Sequence, residues 1–128
     1  MFRVIIAGGR NFYLYNLLKE TMDYYLSEID DEITVLCGKA RGADRLGEKY
    51  ALERGYNIEY YPADWDKNGK RAGFLRNEEM AKHADALVAF WDGESHGTKH
   101  MIETARKYNL KVRVKHYDDS TQEFCGVC

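Results

Sequence analysis

The sequence Asp-Ala-Leu-Val-Ala-Phe-Trp-Asp-Gly-Glu-Ser-His-Gly-Thr fills residues 85–98 and joins an apolar run to a glycine-rich turn. The run, residues 85–91, has the length and the composition of a buried strand. The turn contains Gly93 and Gly97, and from Thr98 onwards apolar residues recur at helical spacing. We therefore predict a strand, a turn and a helix in succession, which is the repeating unit of parallel α/β sheets.

Two earlier segments repeat this unit. Residues 2–7 form an apolar, β-branched run that ends at Gly8 and Gly9, and residues 33–37 form another that ends at Gly38. Each is predicted to be a strand followed by a glycine turn and a helix. The remaining predicted elements are a helix after a cap at Asn11, a helix at residues 43–54, a strand at 57–61, a polar loop at 63–72, a short helix around Met80, a helix at 98–109 and an edge strand at 110–114.

This alternation predicts a Rossmann-like three-layer sandwich, in which a parallel sheet of about five strands carries helices on both faces. In such sheets ligands bind beyond the carboxyl ends of the strands, near the point where the strand order reverses. The glycine turns follow the first, second and fourth predicted strands, so we expect them to meet at that edge. Residues 1–115 are predicted to form this single domain, and residues 116–128 a polar tail.

Composition restricts the function further. The 128 residues suffice for one domain with a core, and the net charge of −2, with acidic and basic residues interspersed, argues against a broad nucleic-acid surface. No apolar run approaches the roughly 20 residues of a membrane span, and the N-terminus leads directly into a strand without a signal peptide. We therefore predict a cytoplasmic protein with no membrane partner, and we rank small molecules above nucleic acid as its ligand.

The cysteine and histidine residues do not predict a metal site. Cys125 and Cys128 form a C-x-x-C pair, but the chain has no second pair to complete a tetrahedral zinc site. The spacing of the four histidines fits no pattern of metal ligands. We predict neither a metal nor another cofactor.

The glycine turns have the chemistry of an anion site. Glycine lets backbone N–H groups approach an anion closely, and the helix that follows adds its positive N-terminal end. Three such turns in one short chain point to a shared ligand that carries phosphate. In the first two, Arg10 is either an anion clamp or a solvated side chain, and Asp44 binds a ribose hydroxyl or only complements a helix dipole. The predicted ligand-binding residues of these two turns are Gly8, Gly9, Arg10, Gly38, Arg41, Gly42 and Asp44.

The third turn and the segment before the third helix complete the predicted site. Ser95 and Thr98 offer hydroxyl groups to an anion, although either could instead cap the helix. Arg76 lies near the start of the predicted third helix, where it could face the ligand, and Arg76 and Glu79 are the candidate catalytic residues. The predicted ligand-binding residues of this part are Arg76, Asn77, Gly93, Ser95, His96, Gly97 and Thr98.

Aromatic residues offer a further kind of ligand contact. Phe12, Trp65 and Trp91 have ring faces on which a base could stack. Aromatic side chains at such positions more often pack in a core or a loop, so none of them is included in the predicted site.

Several of these motifs together resemble the YspA-like branch of the SLOG superfamily. The superfamily includes the cytokinin-activating phosphoribohydrolases, the DNA-processing protein DprA and sensor domains for nucleotide-derived signals. The resemblance implies a Rossmann-like fold, a nucleotide or nucleotide-sugar ligand and a homodimer. The matching motifs, in order over about residues 2–115, are Gly8-Gly9-Arg10, the Gly-x-x-x-Gly-Ala-Asp of residues 38–44, the Ala-Gly-x-x-Arg-Asn-x-x-Met that follows Trp65 and ends at Met80, and the Ala-Asp-Ala-Leu-Val-Ala-Phe-Trp-Asp-Gly-x-Ser-x-Gly-Thr-Lys that ends at Lys99.

One departure from the phosphoribohydrolases bears on catalysis. Those enzymes carry glutamates two and three residues after the threonine of their Gly-Gly-x-Gly-Thr motif, whereas this chain has His100 and Met101 there. Arg76 matches their active-site arginine, so the resemblance covers the phosphate-binding half of the site but not its carboxylate. The candidates for a replacement carboxylate are Glu78, Glu79 and Glu94.

The sequence therefore predicts a module that binds a nucleotide-derived small molecule through its glycine turns, as a sensor or by sequestration. The ligand classes left open are ADP-ribose-like molecules, nucleoside phosphates and cyclic nucleotides. The first alternative is an N-glycosidase that cleaves a nucleoside phosphate, as the phosphoribohydrolases do. The second is DprA-like binding of single-stranded DNA, for which the chain lacks a basic run interleaved with aromatic residues.

Overall fold

The computed structural model of the chain describes residues 1–38 and 42–117. Within those ranges strands and helices alternate along the chain. Their bounds are Phe2–Gly8 for β1, Tyr15–Leu26 for α1, Ile33–Cys37 for β2, Ala43–Arg54 for α2, Asn57–Tyr60 for β3, Trp65–Asn68 for α3, Ala72–His83 for α4, Ala86–Trp91 for β4, His96–Lys107 for α5 and Lys111–His116 for β5, and a 3-10 turn, Gly69–Arg71, joins α3 to α4.

The five strands of the described residues form one parallel sheet in the order β3-β2-β1-β4-β5. The chain builds outward from β1 to β3 on one side and then crosses to β4 and β5 on the other, so the strand order reverses between β1 and β4. β1, β2 and β4 are buried along most of their length, as expected for central parallel strands that are apolar on both faces. β5 alternates half-buried and exposed residues over most of its length, which fits its place at the edge.

Helices cover both faces of the sheet, which confirms the predicted three-layer fold. α1 and α2 pack on one face through apolar residues such as Leu18 and Tyr50. α4 and α5 pack on the other face through residues such as Met80 and Met101. Burial of apolar surface on both sides holds β1 and β4 in place, and this fixes the edge at which their carboxyl ends emerge.

α1 begins later than the sequence predicts. It starts at Tyr15 with Leu14 as its N-cap residue, and no described side chain caps it, so the predicted cap at Asn11 is wrong. Phe12 and Leu14 are buried, and their burial carries the chain across the end of the sheet before the helix starts. Asn11 is left exposed at this crossing.

Residues 63–72 are largely helical, so the prediction of a polar loop there is wrong. Asp64 caps α3, since its carboxylate accepts a hydrogen bond from the backbone N–H of Lys67 at 3.1 Å. The 3-10 turn then leads into α4, which begins at Ala72 and is longer than predicted. A one-turn helix is too short to show hydrophobic periodicity, so the pattern that predicts longer helices is absent from this segment.

The domain continues past the predicted boundary at residue 115. β5 ends at His116, and the next residue, Tyr117, is buried. Its ring packs edge-on against Phe12 with ring centroids 4.8 Å apart, and its backbone N–H donates to the carbonyl oxygen of Trp91 at 3.2 Å. The rest of the predicted tail, with its two cysteines, lies outside the described residues.

Candidate ligand-binding cleft

A cleft of about 630 Å³ opens at the carboxyl edge of the sheet, where the strand order reverses. Its walls come from the turns after β1 and β4, the starts of α2, α3 and α5, one side of α4 and the residue after β5. The volume lies within the range of about 300–1,000 Å³ that is usual for small-molecule sites. The predicted site residues that line it are Gly8, Gly9, Arg10, Asp44, Arg76, Asn77, Ser95, Gly97 and Thr98.

Five described residues of the predicted site do not line the cleft. Glu79, a candidate catalytic residue, is exposed on α4, and its carboxylate lies 3.8 Å from Nδ1 of His83. Arg41 lies outside the described residues. The described residues of the predicted site that stand outside the lining are Gly38, Gly42, Gly93, His96 and Glu79.

Gly8 and Gly42 are required by packing within the protein. A Cβ atom at Gly8 would lie 2.5 Å from the carbonyl oxygen of Phe90 and 2.7 Å from Cβ of Ala43, so β1, β4 and α2 meet there without room for a side chain. Gly42 has a φ of +72° and lies against the backbone of Gly9. The backbone N–H of Ala43 also donates to the carbonyl oxygen of Gly9 at 3.2 Å, so the first two glycine turns pack directly on each other.

Gly9 and Gly97 border the cleft itself. A Cβ atom at Gly9 would lie 2.6 Å from the hydroxyl oxygen of Tyr117, which also lines the cleft. A Cβ atom at Gly97 would meet no described atom within 4 Å. The backbone of the first turn of α5 is therefore open to a ligand at Gly97.

The first turn of α5 can bind an anion. Thr98 is 4% exposed, and its hydroxyl oxygen lies 3.2 Å from that of Ser95. The first N–H groups of a helix have no partner within it, and the aligned peptide dipoles of the 12 residues of α5 add partial positive charge at this end. A phosphate in the cleft can accept hydrogen bonds from these groups.

Asp92 holds the turn that precedes α5. One of its carboxylate oxygens accepts hydrogen bonds from the backbone N–H groups of Glu94 and Ser95, each at 2.8 Å. Burial disfavours the ionised form, but these hydrogen bonds outweigh it and hold the pKa of Asp92 below its usual value. Gly93 turns the chain with a φ of +88°, and the indole N–H of Trp91 donates to the carbonyl oxygen of Ser95 at 3.1 Å. The start of α5 is thus fixed from both sides.

Arg76 is positioned by a series of hydrogen bonds on the α4 side of the cleft. Its Nη1 donates to the carbonyl oxygen of Gly38 at 2.6 Å, and its Nε donates to Oδ1 of Asn77 at 3.0 Å. Asn77 is 6% exposed and donates from Nδ2 to Nδ1 of His100 at 3.2 Å. A Cβ atom at Gly38 would lie 2.5 Å from Nη1 of Arg76, so this glycine is needed to seat the guanidinium although it does not line the cleft.

Opposite charges share the cleft. Asp44 is buried at the start of α2, and a Cβ atom at Gly38 would lie 2.8 Å from its Oδ2 and 2.5 Å from Nη1 of Arg76. Arg10 and Glu94 are exposed and also line the cleft. The site therefore offers guanidinium groups that suit phosphate and carboxylates that accept from hydroxyl groups, a combination that fits a sugar phosphate.

The sequence pattern gives no sign of several lining residues. Gly73 and Phe74 precede the short helix predicted around Met80, whereas they lie in the first turn of α4, about one turn before Asn77. The helical spacing from Gly73 through Asn77 to Met80 indicates this face once the helix is extended to its true start. Tyr117 falls in the predicted tail. The other lining residues outside the predicted site are Ala7, Asn11, Trp65, Met80, Asp92, Glu94 and Met101.

Comparison with known proteins identifies the family. Residues 2–68 match the YspA, cpYpsA-related SLOG family. The chain belongs to this family. The Gene 61 protein of Mycobacterium phage D29 is 36% identical over 118 residues, which cover 88% of this chain and 94% of that protein. The X-ray structure of TM1055, a structural genomics target, has the same kind of fold, with a TM-score of 0.64 at 18% identity over 88% of this chain and 72% of that chain.

Membership of the SLOG family confirms the resemblance carried by the sequence motifs. It supports a role in binding or hydrolysing a nucleotide-related ligand. Within residues 1–38 and 42–117, no group of three or more His, Cys, Asp or Glu side chains is placed to hold a metal ion. In the same ranges, no helix has both the length and the apolar composition that crossing a membrane requires.

Proposed function

We propose that this SLOG domain binds a nucleoside phosphate, or a nucleotide-derived molecule of similar size, and releases it unchanged. The observation that carries the proposal is that three positive elements border one cleft of about 630 Å³. They are the first turn of α5 and the side chains of Arg10 and Arg76. A binding module of this kind acts as a sensor or sequesters its ligand.

The first turn of α5 is the proposed phosphate site. Gly97 leaves the backbone of this turn uncovered, and the hydroxyl group of Thr98 lies beside it. Arg10 is exposed at the cleft and can move to contact the same anion. Hydrogen bonds to a charged group contribute about 1.5–3 kcal/mol each, so a few such contacts account for micromolar affinity.

Asp44 is the proposed ribose contact. Its carboxylate lines the cleft at the start of α2, across Gly38 from the guanidinium of Arg76. A carboxylate accepts hydrogen bonds from a vicinal diol, whereas it repels phosphate. The sugar therefore lies towards α2 when the phosphate lies at α5.

Two features favour binding without cleavage. The positions that hold glutamates in the phosphoribohydrolases carry His100, which accepts a hydrogen bond from Asn77, and Met101, an apolar residue of the cleft. The carboxylate of Asp92 is engaged by the backbone of its own turn. None of these three positions offers a carboxylate that is free to stabilise a ribosyl cation.

Filtration and mass spectrometry test the proposal directly. Protein in excess is mixed with AMP, ADP-ribose, NAD and cyclic mono- and dinucleotides, and the small molecules in the filtrate are quantified. We expect at least one nucleotide to be depleted and to be recovered intact when the protein is denatured. Arg10→Ala should weaken its binding by about tenfold or more, whereas Arg106→Ala, an exposed residue in the last turn of α5, should not. Retention of none of these compounds would refute the proposal.

An N-glycosidase that cleaves a nucleoside phosphate is the second candidate. One observation favours it, since Asp44 and Glu94 bring carboxylates into the cleft at positions other than those of the two glutamates in the phosphoribohydrolases. In this mechanism Arg76 binds the phosphate and Asp44 stabilises the positive charge that develops on the ribose as the bond to the base breaks. Water then supplies a hydroxyl group to C1′, and its proton leaves on the base.

Release of free base distinguishes the two candidates. If the protein is an N-glycosidase, chromatography detects free base and phosphoribose in equal amounts, and Asp44→Asn abolishes the release of both products. Glu79→Gln is the matched control, because Glu79 lies outside the cleft and should leave the rate unchanged. Absence of free base at high protein concentration would exclude cleavage and leave the binding proposal in place.

A further inference from the structure

We infer, building on the proposed function, that Trp65 and Phe74 form a stacking site for a nucleobase. The ligand is then a nucleotide with its base attached and not a bare sugar phosphate. Both residues line the cleft. Both are also unusually accessible for large apolar side chains, with 52% of Trp65 and 48% of Phe74 exposed.

Tyr117, the other aromatic residue that lines the cleft, and its aromatic neighbours Phe12 and Trp91 are engaged within the protein. Phe12 is 1% exposed and stacks on Phe90 with ring centroids 5.0 Å apart. Tyr117 packs against Phe12, and the indole N–H of Trp91 is bonded to a backbone carbonyl group. Among the aromatic residues described at the cleft, the two on α3 and α4 are the ones that remain half exposed.

The ring of Phe74 is held in place by the protein. It stacks on the imidazole of His100 with centroids 4.2 Å apart and planes inclined by 29°. His100 in turn accepts from Asn77 at 3.2 Å, and its Nδ1 lies 3.5 Å from the hydroxyl oxygen of Thr104. A ring that is already oriented loses little side-chain entropy when a base packs against it.

Trp65 lies beside the residue that precedes Phe74. A Cβ atom at Gly73 would lie 3.6 Å from Cη2 of Trp65 and 3.9 Å from Nη2 of Arg76. The indole and the guanidinium are therefore neighbours, separated by a residue without a side chain. A base against the indole leaves its ribose and phosphate within reach of Arg76.

This neighbourhood favours a base over a purely apolar occupant. A hydrophobic partner would gain nothing from the guanidinium beside the rings and would have to desolvate it. A nucleotide combines a flat π-face with negative charge and so uses both groups. Stacking of one base on an aromatic side chain changes affinity by about 5- to 150-fold when the side chain is removed.

Calorimetric titration of the wild-type protein and three variants tests this subsite. The probes are AMP, GMP, CMP and UMP, with ribose 5-phosphate as the ligand that lacks a base. Trp65→Ala removes the indole, and Trp65→Phe keeps an aromatic face. Leu75→Ala is the matched control, because Leu75 is 38% exposed on α4 and does not line the cleft.

We expect the best-bound nucleotide to lose about 5- to 150-fold in affinity in Trp65→Ala and to recover most of it in Trp65→Phe. Ribose 5-phosphate should bind more weakly than that nucleotide, and no variant should change its affinity. Equal wild-type affinity for the two ligands, or no effect of Trp65→Ala, overturns the base subsite and leaves a phosphate-binding cleft. Binding of none of the five compounds also overturns the base subsite, whereas the proposed function is refuted only if the filtration experiment likewise retains none of its nucleotides.

Discussion

Alanine at Gly8 should lower the stability of the protein, whereas alanine at Gly97 should lower its affinity for a nucleotide. Both glycines line the same cleft. At Gly8 the added methyl group would lie 2.5 Å from the carbonyl oxygen of Phe90 and 2.7 Å from Cβ of Ala43. These neighbours belong to a central strand and to the start of α2, so relief requires one of these elements to shift. Overpacking of this kind costs about 1–3 kcal/mol, and each kcal/mol lowers the Tm of a domain of this size by about 4 °C.

The same substitution at Gly97 meets no described atom within 4 Å. Gly97 lies in the first turn of α5, where alanine is a better helix former than glycine by about 0.5–1 kcal/mol. The stability of Gly97→Ala should therefore equal or exceed that of the wild-type protein. Its methyl group would, however, stand beside the N–H groups that the proposal assigns to phosphate, so its affinity for a nucleotide should fall.

Thermal and urea unfolding, together with calorimetric titration of the nucleotide that binds best, measure both effects. The expected pattern is a loss of stability in Gly8→Ala and a loss of affinity without a loss of stability in Gly97→Ala. A Gly8→Ala protein as stable as the wild type would refute the packing role of that glycine. A Gly97→Ala protein with unchanged affinity would refute the assignment of the phosphate to α5.

Three further changes test other parts of the structure. Asp23→Asn should lower the Tm at neutral pH, because the guanidinium of Arg54, 2.7 Å away, holds the pKa of Asp23 below its usual value. That stabilisation is lost as the pH falls below about 4, so a melting series in which the difference persists at about pH 2 would contradict it. Asn77→Ala should lower the free energy of unfolding by about 1–3 kcal/mol, because Nε of Arg76 loses its acceptor. An unchanged midpoint of urea unfolding would contradict this prediction. Thr98→Val keeps the shape of the side chain, so it should change the Tm little and yet weaken nucleotide binding in calorimetry, and equal affinity would count against a hydroxyl contact.

Elements with local sequence markers could be predicted to the residue. β2 at Ile33–Cys37 and α2 at Ala43–Arg54 have their predicted bounds, because an apolar run stops at Gly38 and the helix stops at Gly55, whose φ is +73°. The segment around α3 lacks such markers, because its one turn depends on a single cap at Asp64. The sequence predicts structure well where one residue type breaks a long pattern and poorly where a short element rests on one hydrogen bond.

The location of the site can be predicted from the sequence, whereas the roles of its individual residues cannot. Its location follows from topology, since the carboxyl ends of parallel strands share one edge of the sheet. The role of each glycine does not, because Gly8 is constrained by Phe90 and Ala43, which come from other parts of the chain. The sequence does not predict Phe74 and Tyr117 as lining residues, because their place in the cleft depends on where α4 begins and where β5 ends.

Tyr117 connects the cleft to the edge of the sheet. It follows directly on β5, which pairs with β4 at one edge of the described sheet. Edge strands open more readily than central ones, and their amide hydrogens exchange sooner with solvent. When the end of β5 detaches from β4, Tyr117 no longer lines the cleft. A ligand that binds the intact cleft therefore stabilises the paired state of β5. A bound ligand should therefore slow amide hydrogen exchange along Lys111–His116.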